Sequence, residues 1–188
     1  LDVISLARDK EWLSEITADP DKFLSDMSKR GSLIPLGAGY YAIPKLGHTS
    51  VAYKEWQPLV DGRLSSKGNY YLAGLSALIE HRLTDISTKN VTVVVGYKNT
   101  LLDKNKDEIA GRKIEAVRSL RPEVFYPQSG IEKITQSRTQ SYLRSDFNRT
   151  LVDCLWHPEI CGPTEIWATA WGRAKGRKEF DSKKICEY

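Results

Sequence analysis

The stretch Lys29-Arg-Gly-Ser-Leu-Ile-Pro-Leu-Gly-Ala-Gly-Tyr-Tyr-Ala-Ile-Pro44 decides how the N-terminal part of this chain is read. Gly31 follows a basic pair at the end of a helical pattern, where a left-handed cap is expected. Ser32 to Leu36 and Tyr40 to Ile43 are two β-prone runs joined by Gly37-Ala-Gly39, a turn able to supply positive φ to a hairpin. Pro35 has no N–H to give a ladder, so its strand belongs at an edge. A helix leading directly into a two-stranded edge hairpin is the second half of a winged helix-turn-helix. In that arrangement the helix enters a major groove and the hairpin lies over the backbone or minor groove.

Upstream, the apolar positions Val3, Ile4, Leu6, Ala7, Trp12, Leu13 and Ile16 predict amphipathic helical segments with a break near Asp9. Asp19-Pro20 pairs an N-capping carboxylate with a proline at the first helical position, a strong helix start. Phe23, Leu24 and Met27 then face a core and leave Lys22, Ser25, Asp26, Ser28 and Lys29 outward, with Arg30 at the helix end. This is the candidate recognition helix; a solvated polar face is the plain alternative. Of the adjacent tyrosines, alternation sends one outward, and Tyr40 is assigned that role. Lys45 follows the wing. The expected DNA contacts are therefore Ser25, Ser28, Lys29, Arg30, Tyr40 and Lys45.

Charge distribution agrees with a local rather than a global electrostatic role. The chain has 28 Lys and Arg against 24 Asp and Glu, a formal net charge of +4 over 188 residues. Residues 1–67 hold nine of each sign, which leaves 19 basic and 15 acidic residues for the remainder. Between Asp26 and Glu55 there is no acid, while Lys29, Arg30 and Lys45 fall there. A second basic cluster runs Arg173-Ala-Lys175-Gly-Arg177-Lys178 and reads either as a solvated helix end or as a polyanion contact.

A connection with a short helix over Val51–Gln57, then the polar run from Gly62 to Gly68, places a domain boundary near residue 66. The expected fold class is α+β: residues 1–66 a winged helix-turn-helix with its connector, residues 67–188 a larger mixed α+β domain. In the second part, Asn69 to Arg82 predicts a helix with Tyr71, Leu72, Leu75, Leu78 and Ile79 in one stripe. Val91-Thr-Val-Val-Val95 predicts a buried strand. Arg112 to Leu120, Glu123 to Tyr126, Ile131 to Thr135 and Thr139 to Leu143 are further strand candidates. Asp146 or Ser145 should cap a helix with Phe147, Leu151, Cys154 and Leu155 inward, ended by Pro158. Gly162-Pro163 opens the next helix, and Lys178 to Tyr188 predicts a last polar one. Leu1 in place of Met leads us to expect a missing natural start and an incomplete first helix.

Few residues offer catalytic chemistry. Gly31-Ser32 exists, but no Asp-x-Asp follows it to hold metal ions against a nucleotide. Asp181-Ser-Lys183, the nearest approach to a nuclease motif, lies in a polar tail. There is no phosphate loop and no His-Glu-x-x-His, and the three histidines are His48, His81 and His157. The expectation is a protein that is not an enzyme, with no cofactor. Cys154, His157 and Cys161 are zinc-ligand types without zinc-module spacing, and Cys154 belongs to an apolar stripe. No metal is expected there. Asp153 lies one turn after Arg149 and reads as a structural ion pair. Three cysteines without paired spacing suit the reduced thiols of a cytoplasm. No apolar run approaches a membrane span, and nothing reads as a signal peptide.

Three segments in order carry a family resemblance: the helix with Arg30-Gly-Ser-Leu-Ile-Pro-Leu-Gly-Ala-Gly-Tyr-Tyr-Ala-Ile-Pro44, the small-residue and leucine segment Leu72 to Thr84, and Arg149-Thr-Leu-Val-Asp-Cys-Leu155. Together they span roughly residues 19–172 and resemble the abortive-infection (AbiE-type, AbiEi-like) antitoxins of bacterial type IV toxin–antitoxin systems, a form of phage defence. That resemblance implies a transcriptional autorepressor binding inverted repeats of double-stranded operator DNA at its own operon. It also implies that the larger domain counters a cognate nucleotidyltransferase toxin without a stable complex. Two other readings stay open: a protein-interaction module that uses a winged helix without DNA, and a nuclease or nucleotidyltransferase with an unrecognised site.

Overall fold

The computed structural model describes residues 2–5, 9–37, 39–44, 56–65, 68–98, 108–109, 112–125, 129–135 and 141–188. The chain divides into two compact units. One comprises Leu1–Ser66 with Thr135–Ser141, the other Lys67–Ile134 with Tyr142–Tyr188. Both mix helix and strand, so the fold is α+β.

The smaller unit runs β1 (Asp2–Ser5), α1 (Lys10–Ile16), α2 (Pro20–Lys29), β2 (Ile34–Gly37), β3 (Tyr40–Ile43) and α3 (Trp56–Ser65). Its strands form an antiparallel sheet in the order β1-β3-β2. Against the helical expectation for the first segment, Asp2–Ser5 is a strand paired with Ile43–Tyr40, and helix begins only at Lys10. A lone short amphipathic run satisfies no backbone partner outside itself, whereas pairing with β3 satisfies both strands. Asp19 caps α2 by accepting from the Lys22 N–H at 3.0 Å. Gly31 at φ +74 follows the helix, and its N–H returns to the Ser28 carbonyl at 2.9 Å. Leu13, Leu24 and Leu33 are buried together, with Phe23, Met27 and Tyr41 packed on them. Thus the two helices are held to the hairpin by one small core.

The expected helix over residues 51–57 and the flexible run after it are also revised. Residues 51–55 lie outside the described residues, and α3 instead runs through both Pro58 and Gly62. Pro58 falls in the first helical turn, whose N–H groups need no intrahelical partner. Val60 and Leu64, one turn apart and each 1% exposed, tie down the rest, and α3 packs against all three strands. That burial outweighs the poor propensity of Gly62.

The larger unit is built on a six-stranded mixed sheet. Its strands are β4 (Tyr70–Leu72), β5 (Val91–Gly96), β6 (Glu108–Ile109), β7 (Arg112–Ser119), β8 (Ile131–Thr135) and β9 (Ser141–Ser145), arranged β6-β7-β5-β4-β9-β8. Strand β5 runs parallel to β7 and antiparallel to β4, and β4 runs parallel to β9. The helices are α4 (Gly74–Glu80), α5 (Phe147–Trp156), α6 (Thr164–Ala174) and α7 (Ser182–Glu187). Val91 to Val95 is buried throughout, which explains its uninterrupted apolar run.

The single helix expected over Asn69 to Arg82 is overturned. Tyr70, Tyr71 and Leu72 form a central strand between β5 and β9, and helix starts at Gly74. A side-chain stripe of helical spacing was present, but a strand with both neighbours supplied by the fold buries all three residues. Gly74 makes the change of direction at φ +53. A Cβ there would lie 2.5 Å from the Ile160 carbonyl oxygen. The α4 start has no cap of its own, because Ala73 precedes it. Thr92 on β5 supplies one: its Oγ1 accepts from the Ser76 N–H at 2.8 Å and donates to the Ala73 carbonyl at 2.6 Å.

Glu123 to Phe125 is likewise not a strand, and Tyr126 lies outside the described residues; Pro122–Phe125 forms a 3₁₀ turn that buries Val124. The last helix is confined to Ser182–Glu187. On α5, Asp146 is the cap, accepting from the Arg149 N–H at 2.7 Å. Leu155, expected inward, is 55% exposed, since it falls at the final turn beyond the core-facing stripe. No helix among the described residues is long and apolar enough to cross a membrane.

Candidate functional site

In the smaller unit, the residues singled out from sequence fall on α2 and its C-terminal cap. Lys29 and Arg30 are exposed. Ser25 and Ser28 are half-buried rather than fully outward. Lys29 Nζ lies 3.5 Å from Asp26 Oδ1, a solvent-exposed pair that rearranges at little cost. Lys22, expected outward but not among the expected DNA contacts, is exposed and adds a cation in the first turn. The backbone of Tyr40 pairs with Ser5 and Gly37. Its side chain, and all of Lys45, lie outside the described residues. The α2 surface can therefore offer three cations and two hydroxyls over one helix length of about 15 Å.

The larger unit contains a buried polar network centred on Arg149 and Asp153 of α5. Arg149 Nε donates to Asp153 Oδ1 at 2.8 Å, and one terminal amino group donates to the Tyr71 hydroxyl at 3.2 Å. The other terminal amino group donates to the Ser129 carbonyl at 3.0 Å. Tyr71 donates in turn to Asp153 Oδ1 at 3.2 Å. The guanidinium also lies 4.9 Å from the ring centre of Trp156. Burial raises the Asp153 carboxyl above the usual carboxylate range, against the opposing pull of Arg149. Burial, reinforced by the Asp153 charge, also drives the Tyr71 phenol far upward, so it remains a donor. Donors from both side chains converge on Asp153 Oδ1, while Oδ2 is buried without a hydrogen-bond partner, and the arrangement is chemically suited to fixing β4 against α5. Arg149 also borders a cavity of about 520 Å³, together with Arg121 and Trp156.

The ion pair was legible from its spacing within an apolar helix. Its partners Tyr71, Ser129 and Trp156 were not, since they come from a strand, a turn and the helix end.

Cys154 and Cys161 are both fully buried. Cys154 Sγ donates to the Thr150 carbonyl at 3.2 Å, and Cys161 Sγ to the His157 carbonyl at 3.4 Å. The neighbouring Cys154 thiol, together with burial, pushes the Cys161 thiol far above its usual value. A protonated thiol is a poor metal ligand. Among the described residues no group of three His, Cys, Asp or Glu side chains could hold a metal ion.

No family model matches the chain, and no curated protein does. Among solved structures, the RV2827C protein from Mycobacterium tuberculosis is similar at a TM-score of 0.66 and 16% sequence identity. The match covers 98% of this chain and 65% of that one, so this chain spans about two thirds of that protein's length. A likeness of this kind concerns the fold alone.

Proposed function

We propose that this chain is a DNA-binding transcriptional autorepressor that also acts as the antitoxin of a type IV toxin–antitoxin system. The observation that carries the DNA-binding half is the order β1-α1-α2-β2-β3 with strands arranged β1-β3-β2. In such an order α2 is the recognition helix of a winged helix-turn-helix and the β2–β3 hairpin is its wing. Lys29 and Arg30 at the α2 end suit phosphates, while Ser25 and Ser28 suit base edges or sugar–phosphate oxygens. Tyr40 and Lys45 are the further contacts that this reading expects from the sequence.

The antitoxin half rests on the three ordered segments that resemble the AbiE-type proteins. In this reading the larger unit counters a cognate nucleotidyltransferase toxin, without catalysis, cofactor or stable complex, in a bacterial cytoplasm. Fluorescence anisotropy on the DNA upstream of the chain's own gene tests the first half. Lys29→Ala with Arg30→Ala should weaken binding and lower the salt slope by about two; unchanged affinity would refute the assignment. Co-expression with the adjacent toxin gene tests the second, and growth arrest that this chain fails to relieve would refute it.

One observation favours a protein-interaction module instead. Trp12 and Ile16 stand one turn apart on α1, 51% and 50% exposed, a small apolar stripe of the sort partners cover. DNA binding that survives Trp12→Ser while partner capture is lost would assign that stripe to a protein.

A further inference from the structure

The larger unit has a second cavity, of about 640 Å³, whose rim brings together Arg82, Arg177 and Lys184. These cations come from the turn after α4, the turn after α6, and α7. All three are exposed, and among the described residues none pairs with a carboxylate. The acids around them are engaged elsewhere. Glu80 and Glu132 both bind Arg144 on the cavity floor, and Glu80 also accepts from the Tyr142 hydroxyl at 2.6 Å. Asp146 accepts from the Arg149 N–H and from the Tyr188 hydroxyl at 2.6 Å. Asp85, close to Arg82 in sequence, is held by Arg173 at 2.6 Å. Glu179 alone remains at the rim, and its backbone carbonyl is fixed by Asn148 at 3.0 Å.

Arg82 is the more telling residue. It sits at φ +57, the sole non-glycine in the left-handed region among the described residues. The bonds from Arg82 N–H to Ile79 and from Leu83 N–H to Leu78, at 3.0 and 2.9 Å, are those of a helix stop where glycine is the ordinary occupant. Arginine occupies a position that strains it. One terminal amino group of Arg177 donates to the Arg82 carbonyl at 3.2 Å, setting the two guanidinium-bearing segments side by side. Arg177 has other donors left over.

We propose that this cavity binds a phosphoryl-bearing ligand, clamped by Arg82, Arg177 and Lys184. The assignment is independent of DNA contact by α2. Forked guanidinium donors and a mobile ammonium match a phosphate or diphosphate. The ligand is either a free phosphorylated small molecule or the phosphorylated end of a single strand, which present the same group.

Calorimetric titration of the full chain with inorganic pyrophosphate, and separately with a 5′-phosphorylated and a 5′-hydroxyl short RNA, tests the proposal. Saturable binding of pyrophosphate points to the small molecule. Binding of the phosphorylated strand alone points to the nucleic-acid end. In either case Arg177→Ala with Lys184→Ala should weaken binding by about tenfold or more. Arg82→Gly should weaken it too while raising the unfolding temperature, a combination that a purely structural arginine would not give. Lys29→Ala with Arg30→Ala should leave it unchanged. The proposal is overturned if pyrophosphate does not bind and the two strands bind equally. It is equally overturned if neither variant at the cavity moves the affinity.

Discussion

Arg149 and Asp153 stand one turn apart on α5 and meet at 2.8 Å, with side chains 1% and 0% exposed. Such a pair contributes little net stability against an apolar substitute, yet breaking it is costly because one charge is left buried alone. Asp153→Leu should therefore lower stability by about 3–5 kcal/mol. Arg149→Met with Asp153→Leu should lose clearly less than the sum of the two single changes. Urea denaturation of the four proteins measures the coupling, and additive losses would show that the groups do not act as a unit.

Thr92 closes the start of α4 from a neighbouring strand, through bonds to Ser76 and Ala73. Thr92→Val keeps the shape and removes both bonds, leaving a buried N–H without its acceptor. We expect a loss of about 1–3 kcal/mol, and a smaller one for Thr92→Ser, which retains the hydroxyl. Equal losses for the two variants would place the effect in packing rather than hydrogen bonding.

What sequence made legible was whatever local pattern alone determines. The cap at Asp19, the buried run Val91 to Val95 and the cap at Asp146 need only neighbouring residues to be recognised, and each is observed. Tyr70 to Leu72 shows why other parts were hidden. Its residues fit a helical stripe as well as a strand, and what decides is pairing with β5 and β9 from elsewhere in the chain. Asp2–Ser5 is hidden for the same reason, as its partner is β3. The cavity cations were visible in part as the cluster from Arg173 to Lys178. Arg82, which gives the cluster its meaning, comes from the turn after α4, and no spacing rule joins residues 95 apart.

Gly74 carries a conformational demand and a steric one at once. At φ +53 a side chain is strained, and the nearest obstacle to a Cβ is the Ile160 backbone, which cannot swing aside as a side-chain tip would. Gly74→Ala should cost roughly 2–5 kcal/mol, combining left-handed strain with overpacking. Gly172 offers a control inside α6, since a Cβ there meets nothing within 4 Å. Thermal unfolding of Gly172→Ala should show a neutral or slightly raised midpoint.

His81 supplies the pH dependence whose sign is fixed by its surroundings. Its Nε2 lies 2.9 Å from the Ser145 carbonyl, which can only accept, so Nε2 carries the proton of a neutral ring. The ring stacks edge-on to Phe147. Burial lowers its pKa, aided by Arg144, and outweighs the Ser145 carbonyl, Glu132 and Glu80, which act the other way. The unfolded chain titrates at about 6.5, so it binds the proton first as pH falls. The stabilisation is complete above that value and is lost as pH descends towards the lowered pKa of the folded state. Urea midpoints taken between about pH 5 and pH 7 should therefore fall with acidification. His81→Gln keeps an N–H donor for Ser145 without titrating, and its slope in that window should be shallower. A slope equal to that of the unmodified chain would assign the acid sensitivity to another group.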